Sequence, residues 1–122
     1  PIHDLSSKWL DAFDASVQSD GWGQQIEAAD GYTKLANALE HDARHLSPRA
    51  HALVMNTALA LRLRVQTMNR SDDVSQGVSV EHVKPLRDVL EAVELGGNVV
   101  ARVHMPIDLS GQSGFQPISE EA

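Results

Sequence analysis

The chain has 122 residues, 42% of them apolar and none cysteine, and its 17 acids against 10 lysines and arginines leave a net charge of -7. That length suits one domain with one core, and the missing thiols exclude a disulfide scaffold, a thiolate zinc site and a cysteine nucleophile. The acidic balance works against nucleic acid, whose binding depends on neutralising phosphate charge.

Four helical segments and a tail are predicted. The first runs from about Leu5 to Ser19, where Leu5, Trp9, Ala12, Phe13 and Val17 recur at three- and four-residue spacing. Asp20-Gly21-Trp22-Gly23 follows. Two glycines within three residues break a helix.

The second segment spans Gln24 to His45, with Ile26, Ala29, Thr33, Ala36 and Leu39 as its stripe and Tyr32, Leu35 and Ala43 beside it. Asp30-Gly31 leaves open a split into a short turn and a helix.

Ser47-Pro48 opens the third segment. It joins an N-cap to a proline at the first helical position, where the missing N–H is harmless. No glycine or proline interrupts the chain from there to Asn69. A fourth helix is expected from Lys84 or Pro85 to Leu95, with Gly96-Gly97 as its stop. Leu86, Val89, Leu90 and Val93 form its apolar face.

Residues 1–97 therefore read as an all-α, small four-helix bundle-like domain, and residues 98–122 as an extended or flexible C-terminal arm. Val99 to Met105 is β-branched and partly alternating, whereas Pro106 onward is rich in glycine and serine. A lone strand makes no sheet, so the arm must lie on the helices, pair with another chain or stay loose.

The third segment is the most informative. Projected at 100° per residue, Ala50, Val54, Ala58, Leu61, Val65 and Met68 fall in one arc of about 80°. Ala52, Met55, Leu59 and Leu63 form a second arc nearly opposite. Arg62 and His51 mark one boundary between the arcs, Arg64 and Thr57 the other. Two arcs suit either a helix surrounded by the other three or a helix with one face turned to a partner, such as a second copy of the chain.

Charge sharpens the point. Residues 49–70 hold four arginines and no acid, whereas residues 1–48 hold eight acids against three bases and residues 71–95 six against two. Arg62 and Arg64 are expected to meet carboxylates of neighbouring helices.

Chemistry-bearing patterns are sparse. His41 and His45, four residues apart, could face one metal ion, but a site needs further ligands such as Asp42, His3, His82 or His104. Histidines near the negative end of a helix have a simpler explanation. His51 lacks the basic and small residues a turn later that a phosphotransfer histidine needs, those places being Val54 and Met55. Pro1 as a general base would call for a following β-strand, where capping residues and a helix stand instead. No paired catalytic carboxylates, phosphate loop or nucleophile elbow is present.

Four of the five aromatics (Trp9, Phe13, Trp22 and Tyr32) fall within 24 residues. Trp22, in the glycine turn and off every stripe, is the one expected to be exposed as an anchor.

The sequence thus predicts a non-catalytic protein-interaction or regulatory module that self-associates through its third helix. Trp22, Met55, Leu59, Arg62 and Leu63 are its partner-binding residues. No cofactor, direct nucleic-acid contact or membrane contact is expected. The longest apolar run is short of a bilayer span, the opening Pro1-Ile2-His3-Asp4 does not read as a leader, and cytoplasmic residence is expected. One alternative is a small acidic inhibitor occupying a basic, nucleic-acid-binding site. The other is a metal-binding protein using His41 and His45.

Overall fold

A computed structural model describes residues 2–70, 77–95 and 102–118. The fold is all-α: α1 (Ile2–Gly21), α2 (Gln25–Ala43), α3 (Pro48–Asn69), the single turn α4 (Val80–Val83) and α5 (Leu86–Leu95). No strand occurs among the described residues. α2 packs between α1 and α3, and α5 closes the ring by packing on α1 and α3. The result is a four-helix bundle.

The α1–α2 hairpin is set by small residues and two polar ties. The turn closes through Gly23 N–H to the Asp20 carbonyl (3.1 Å) and Gln24 N–H to the Ser19 carbonyl (2.9 Å), with Gly23 at φ +78. That left-handed backbone favours glycine. α2 is continuous through Gly31, which settles the split left open by its sequence. The glycine serves packing there: a Cβ at Gly31 would run into Ser16 Oγ on α1. At the far end of the hairpin the Trp9 indole N–H donates to Asp42 (2.9 Å).

This close approach fixes which stripe of α2 is buried. Ala28, Tyr32, Leu35, Ala36, Leu39 and Ala43 enter the core. Ile26, expected to head the stripe, is exposed, and Ala29 and Thr33 are half-buried. The helix is rotated toward the Ala28–Tyr32 side because that side carries the glycine contact and the tyrosine's buried partner.

The fourth segment resolves into two pieces. Ser79 caps α4 in a reciprocal box with His82, whose backbone N–H donates to Ser79 Oγ while the Ser79 N–H donates to His82 Nδ1. Pro85 cannot continue the ladder, and α5 resumes at Leu86. Leu86, Val89, Leu90 and Val93 are buried as expected. Gly96-Gly97 and residues 98–101 lie outside the described residues.

Polar groups join the bundle at one buried point. Arg64 donates from Nε and Nη2 to the two Asp20 carboxylate oxygens (2.9 and 2.7 Å) and from Nη1 to the Val78 carbonyl (3.1 Å). The Tyr32 hydroxyl donates to the same Asp20 (2.8 Å). One arginine therefore connects α1, α2, α3 and the lead-in to α4.

Burial alone would raise the Asp20 pKa. The hydrogen bonds from Arg64 and Tyr32 and the guanidinium charge outweigh it and hold the carboxyl below its usual range. Burial and the neighbouring Asp20 push the Tyr32 hydroxyl strongly up, so it stays a donor.

Candidate interaction surface

α3 is not surrounded by the other three helices. α2 and α5 pack on α3, and in its first arc Ala50, Val54, Ala58 and Leu61 are buried while Val65 and Met68 toward its C-terminal end are half-buried. The second arc faces the chain's own C-terminal segment. Met55, Leu59 and Leu63 are half-buried there, as are Val103, Met105, Ile107, Phe115 and Ile118 of that segment, all packed against the core.

Among the described residues, three hydrogen bonds tie segment to helix. Arg49 Nη2 donates to the Val103 carbonyl (2.8 Å). Asn56 Nδ2 donates to the Gln116 carbonyl (2.8 Å), and the Gln116 N–H donates back to Asn56 Oδ1 (2.8 Å). Gly114 lies over Leu59, and Gln112 shares with Leu63, Thr67 and Val78 a cavity of about 210 Å³. The segment therefore runs along α3 from Arg49 toward Leu63 and folds back to Asn56.

The return is made by two tight turns, Gln112 N–H to the Leu109 carbonyl (2.9 Å) and Phe115 N–H to the Gln112 carbonyl (3.2 Å). Leu109, which opens the first turn, is buried in the core. The described part of the arm thus lies on the helices. Its glycine- and serine-rich composition suggests looseness, but apolar residues at 105, 107, 109, 115 and 118 anchor it.

Asn56 was not apparent from sequence as a site residue. Its side chain is fully buried and both of its amide atoms are spent on another segment's backbone. The available signal was an uncharged polar residue set between two apolar arcs, a position that buries only if its hydrogen bonds are met.

Trp22 stands where the glycine turn puts it, 68% exposed, and Ile26 in the first turn of α2 is 83% exposed. These two are the exposed large hydrophobics among the described residues. Sequence reasoning found the first and put the second in the core.

Arg62 is held on the bundle: Nε and Nη2 grip the Glu40 carboxylate (2.9 and 2.8 Å), and Nη2 also donates to Asn37 Oδ1 (2.6 Å). With Arg64 on Asp20, both boundary arginines meet carboxylates of neighbouring helices as the charge pattern predicts. Arg87 does the same from α5, donating to both Asp14 oxygens (2.8 and 3.1 Å) and to Glu91. Asp14, Asp20 and Glu40 are therefore engaged internally, which withdraws three carboxylates from any basic target.

The histidines are placed apart in role. His41 and His45 are exposed, but α2 ends at Ala43, so His45 lies beyond the regular helix and the two do not share its face. Arg44 approaches His41 Nδ1 (2.7 Å). Among the described residues no group of three or more histidines and carboxylates is arranged to hold a metal ion. His51 instead approaches the Ala43 carbonyl (2.9 Å), joining the start of α3 to the end of α2. No described helix is long and apolar enough to cross a membrane.

Residues 6–100 match the family model described as Aida N-terminus. No curated protein and no solved structure matches the chain. The matched stretch takes in nearly all of α1 through α5 and stops just short of the segment that lies on α3.

Proposed function

The chain belongs to the Aida N-terminus family, and we propose that it is a non-catalytic protein-interaction or regulatory module that also self-associates through α3. The observation that carries the reading is the uncovered Trp22–Ile26 corner. A bundle that pairs its boundary arginines and, among the described residues, covers its other large apolar side chains at least in part gains nothing for its own fold from a tryptophan left in water. Covering each of the two on a partner would contribute on the order of 1.5–3 kcal/mol. Aromatic anchors of this kind dominate binding energy at protein interfaces.

The test is a Trp22→Ser/Ile26→Ser double variant compared with wild type in affinity capture. Both side chains are exposed, so the variant keeps the wild-type thermal midpoint. A set of proteins retained by wild type and lost by the variant supports the corner as the contact. Equal capture by both sinks it. Self-association is read separately, from a mass in light scattering that rises with concentration. A strict monomer at millimolar concentration removes that part of the reading.

A further inference from the structure

We propose that the second face of α3 is a docking groove for an irregular peptide segment, and that residues 102–118 of a second copy of this chain fill it in exchange for the chain's own. The proposal deepens the self-association named above by supplying its route, and is independent of the Trp22 corner.

The groove is built to read backbone. Asn56 is fully buried, and its carboxamide pairs with both the N–H and the carbonyl of Gln116. That two-point clasp recognises any extended residue other than proline, since it needs one donor and one acceptor of the main chain. Arg49 adds a second backbone contact at the Val103 carbonyl. Affinity comes from main-chain bonds, and selection from the apolar side chains seated between them, as in other modes of peptide capture.

The occupant follows from what is seated there. Leu109, buried at 2% exposure, and the half-buried Met105, Phe115 and Ile118 all belong to one stretch of chain. Among the described residues, these contacts of the groove are thus carried by the one stretch 102–118. None of these contacts depends on which copy supplies the segment. Exchange of an identical element between protomers keeps every bond and costs little. In cis the segment competes as a covalently joined ligand, so the exchanged form grows in as protein concentration rises.

Complementation between two full-length variants tests this. Gln116→Pro removes the N–H of the clasp and spoils the segment but not the groove. Asn56→Ala spoils the groove but not the segment. Each alone is monomeric, whereas an equimolar mixture forms a 1:1 dimer in native mass spectrometry, with one intact segment in one intact groove. A mixture that equals the sum of its parts overturns the proposal. If wild type nonetheless dimerises, self-association stands and this route falls.

Asn56 is buried, so a peptide assay covers the case in which Asn56→Ala fails to fold. A labelled peptide of residues 102–118 binds the full-length Gln116→Pro chain, and the same peptide N-methylated at Gln116 binds about 10-fold or more weakly. No binding, or equal binding of the two, overturns the proposal.

Discussion

The two faces of α3 have nearly the same composition and opposite fates. Val54, Ala58 and Leu61 are fully buried under helices, whereas Met55, Leu59 and Leu63 are half-buried under a segment that is irregular from Val103 onward. Helices that cover an apolar face bring only side chains to it, because their own backbone groups are already paired. An irregular segment brings unpaired N–H and carbonyl groups, and these must be met from the other side. Hence the first face carries aliphatic and alanine side chains, and the second has Asn56 and Arg49 at its borders. One face is a core; the other has the make-up of an interface occupied from within.

The sharpest way to break the helix-covered side of α3 is to remove the buried charge at its border. Arg64→Ala leaves Asp20 ionised at 3% exposure with its main partner gone. Losing one member of such a pair costs about 3–5 kcal/mol, measurable as a fall in the urea midpoint. The pair also predicts acid sensitivity. The folded-state pKa of Asp20 lies below the value of 3.8 it has when unpaired. In the window between the two, the unfolded chain binds a proton that the folded chain does not. The contribution is therefore complete above that window and lost as pH falls through it. Asp20→Asn should be less stable at pH 7 and show a shallower acid dependence than wild type in denaturant titrations from pH 6 to pH 2.

Leucine truncation compares the faces directly. Leu61→Ala empties a fully enclosed site and should cost about 2–5 kcal/mol. Leu59→Ala, half-buried against the segment near Gly114, should cost about 1 kcal/mol, because water and the segment can relax into the space. Equal losses would make both faces core and erase the distinction. Between them stands Asn56→Ala. It leaves the Gln116 N–H and carbonyl short of partners at about 1–3 kcal/mol, with faster hydrogen exchange at Gln116 as its mark.

How much of this was legible beforehand follows the same line. The helices were, because proline at position 48, the Gly21 and Gly23 turn and the 3.6-residue period act locally. So were the two arcs of α3 and the meeting of Arg62 and Arg64 with neighbouring carboxylates, since a basic helix between acidic ones has few other ways to pack. The rotation of α2 was not. It depends on Gly31 meeting Ser16 across the hairpin, and on Tyr32 finding Asp20, both contacts between separate helices.

The cover on the second arc was hidden for a similar reason. Gly111, Ser113 and Gly114 read locally as loose chain, and only the pairing of Asn56 with Gln116, sixty positions apart, places that stretch on α3. Of the site residues named from sequence, Trp22 was legible because exposure follows from standing off every stripe. Ile26 was not, because its exposure depends on the helix rotation.

The smallest expected effect tests whether geometry or environment decides the worth of a charge pair. Arg62 on Glu40 and Arg64 on Asp20 are both two-point arginine–carboxylate clasps, with closest separations of 2.8 and 2.7 Å. They stand on opposite boundaries of the same helix. Their side chains differ in exposure, 36% and 37% for the first pair against 12% and 3% for the second. Water screens the first and can solvate Glu40 if its partner leaves. Water has little access to the second. Arg62→Gln should therefore shift stability by no more than about 1 kcal/mol and shrink further in 0.5 M salt. Arg64→Ala should keep most of its effect in the same salt. If the two losses are equal, bond geometry sets their worth, and the more exposed Arg62 is as structural as the buried Arg64.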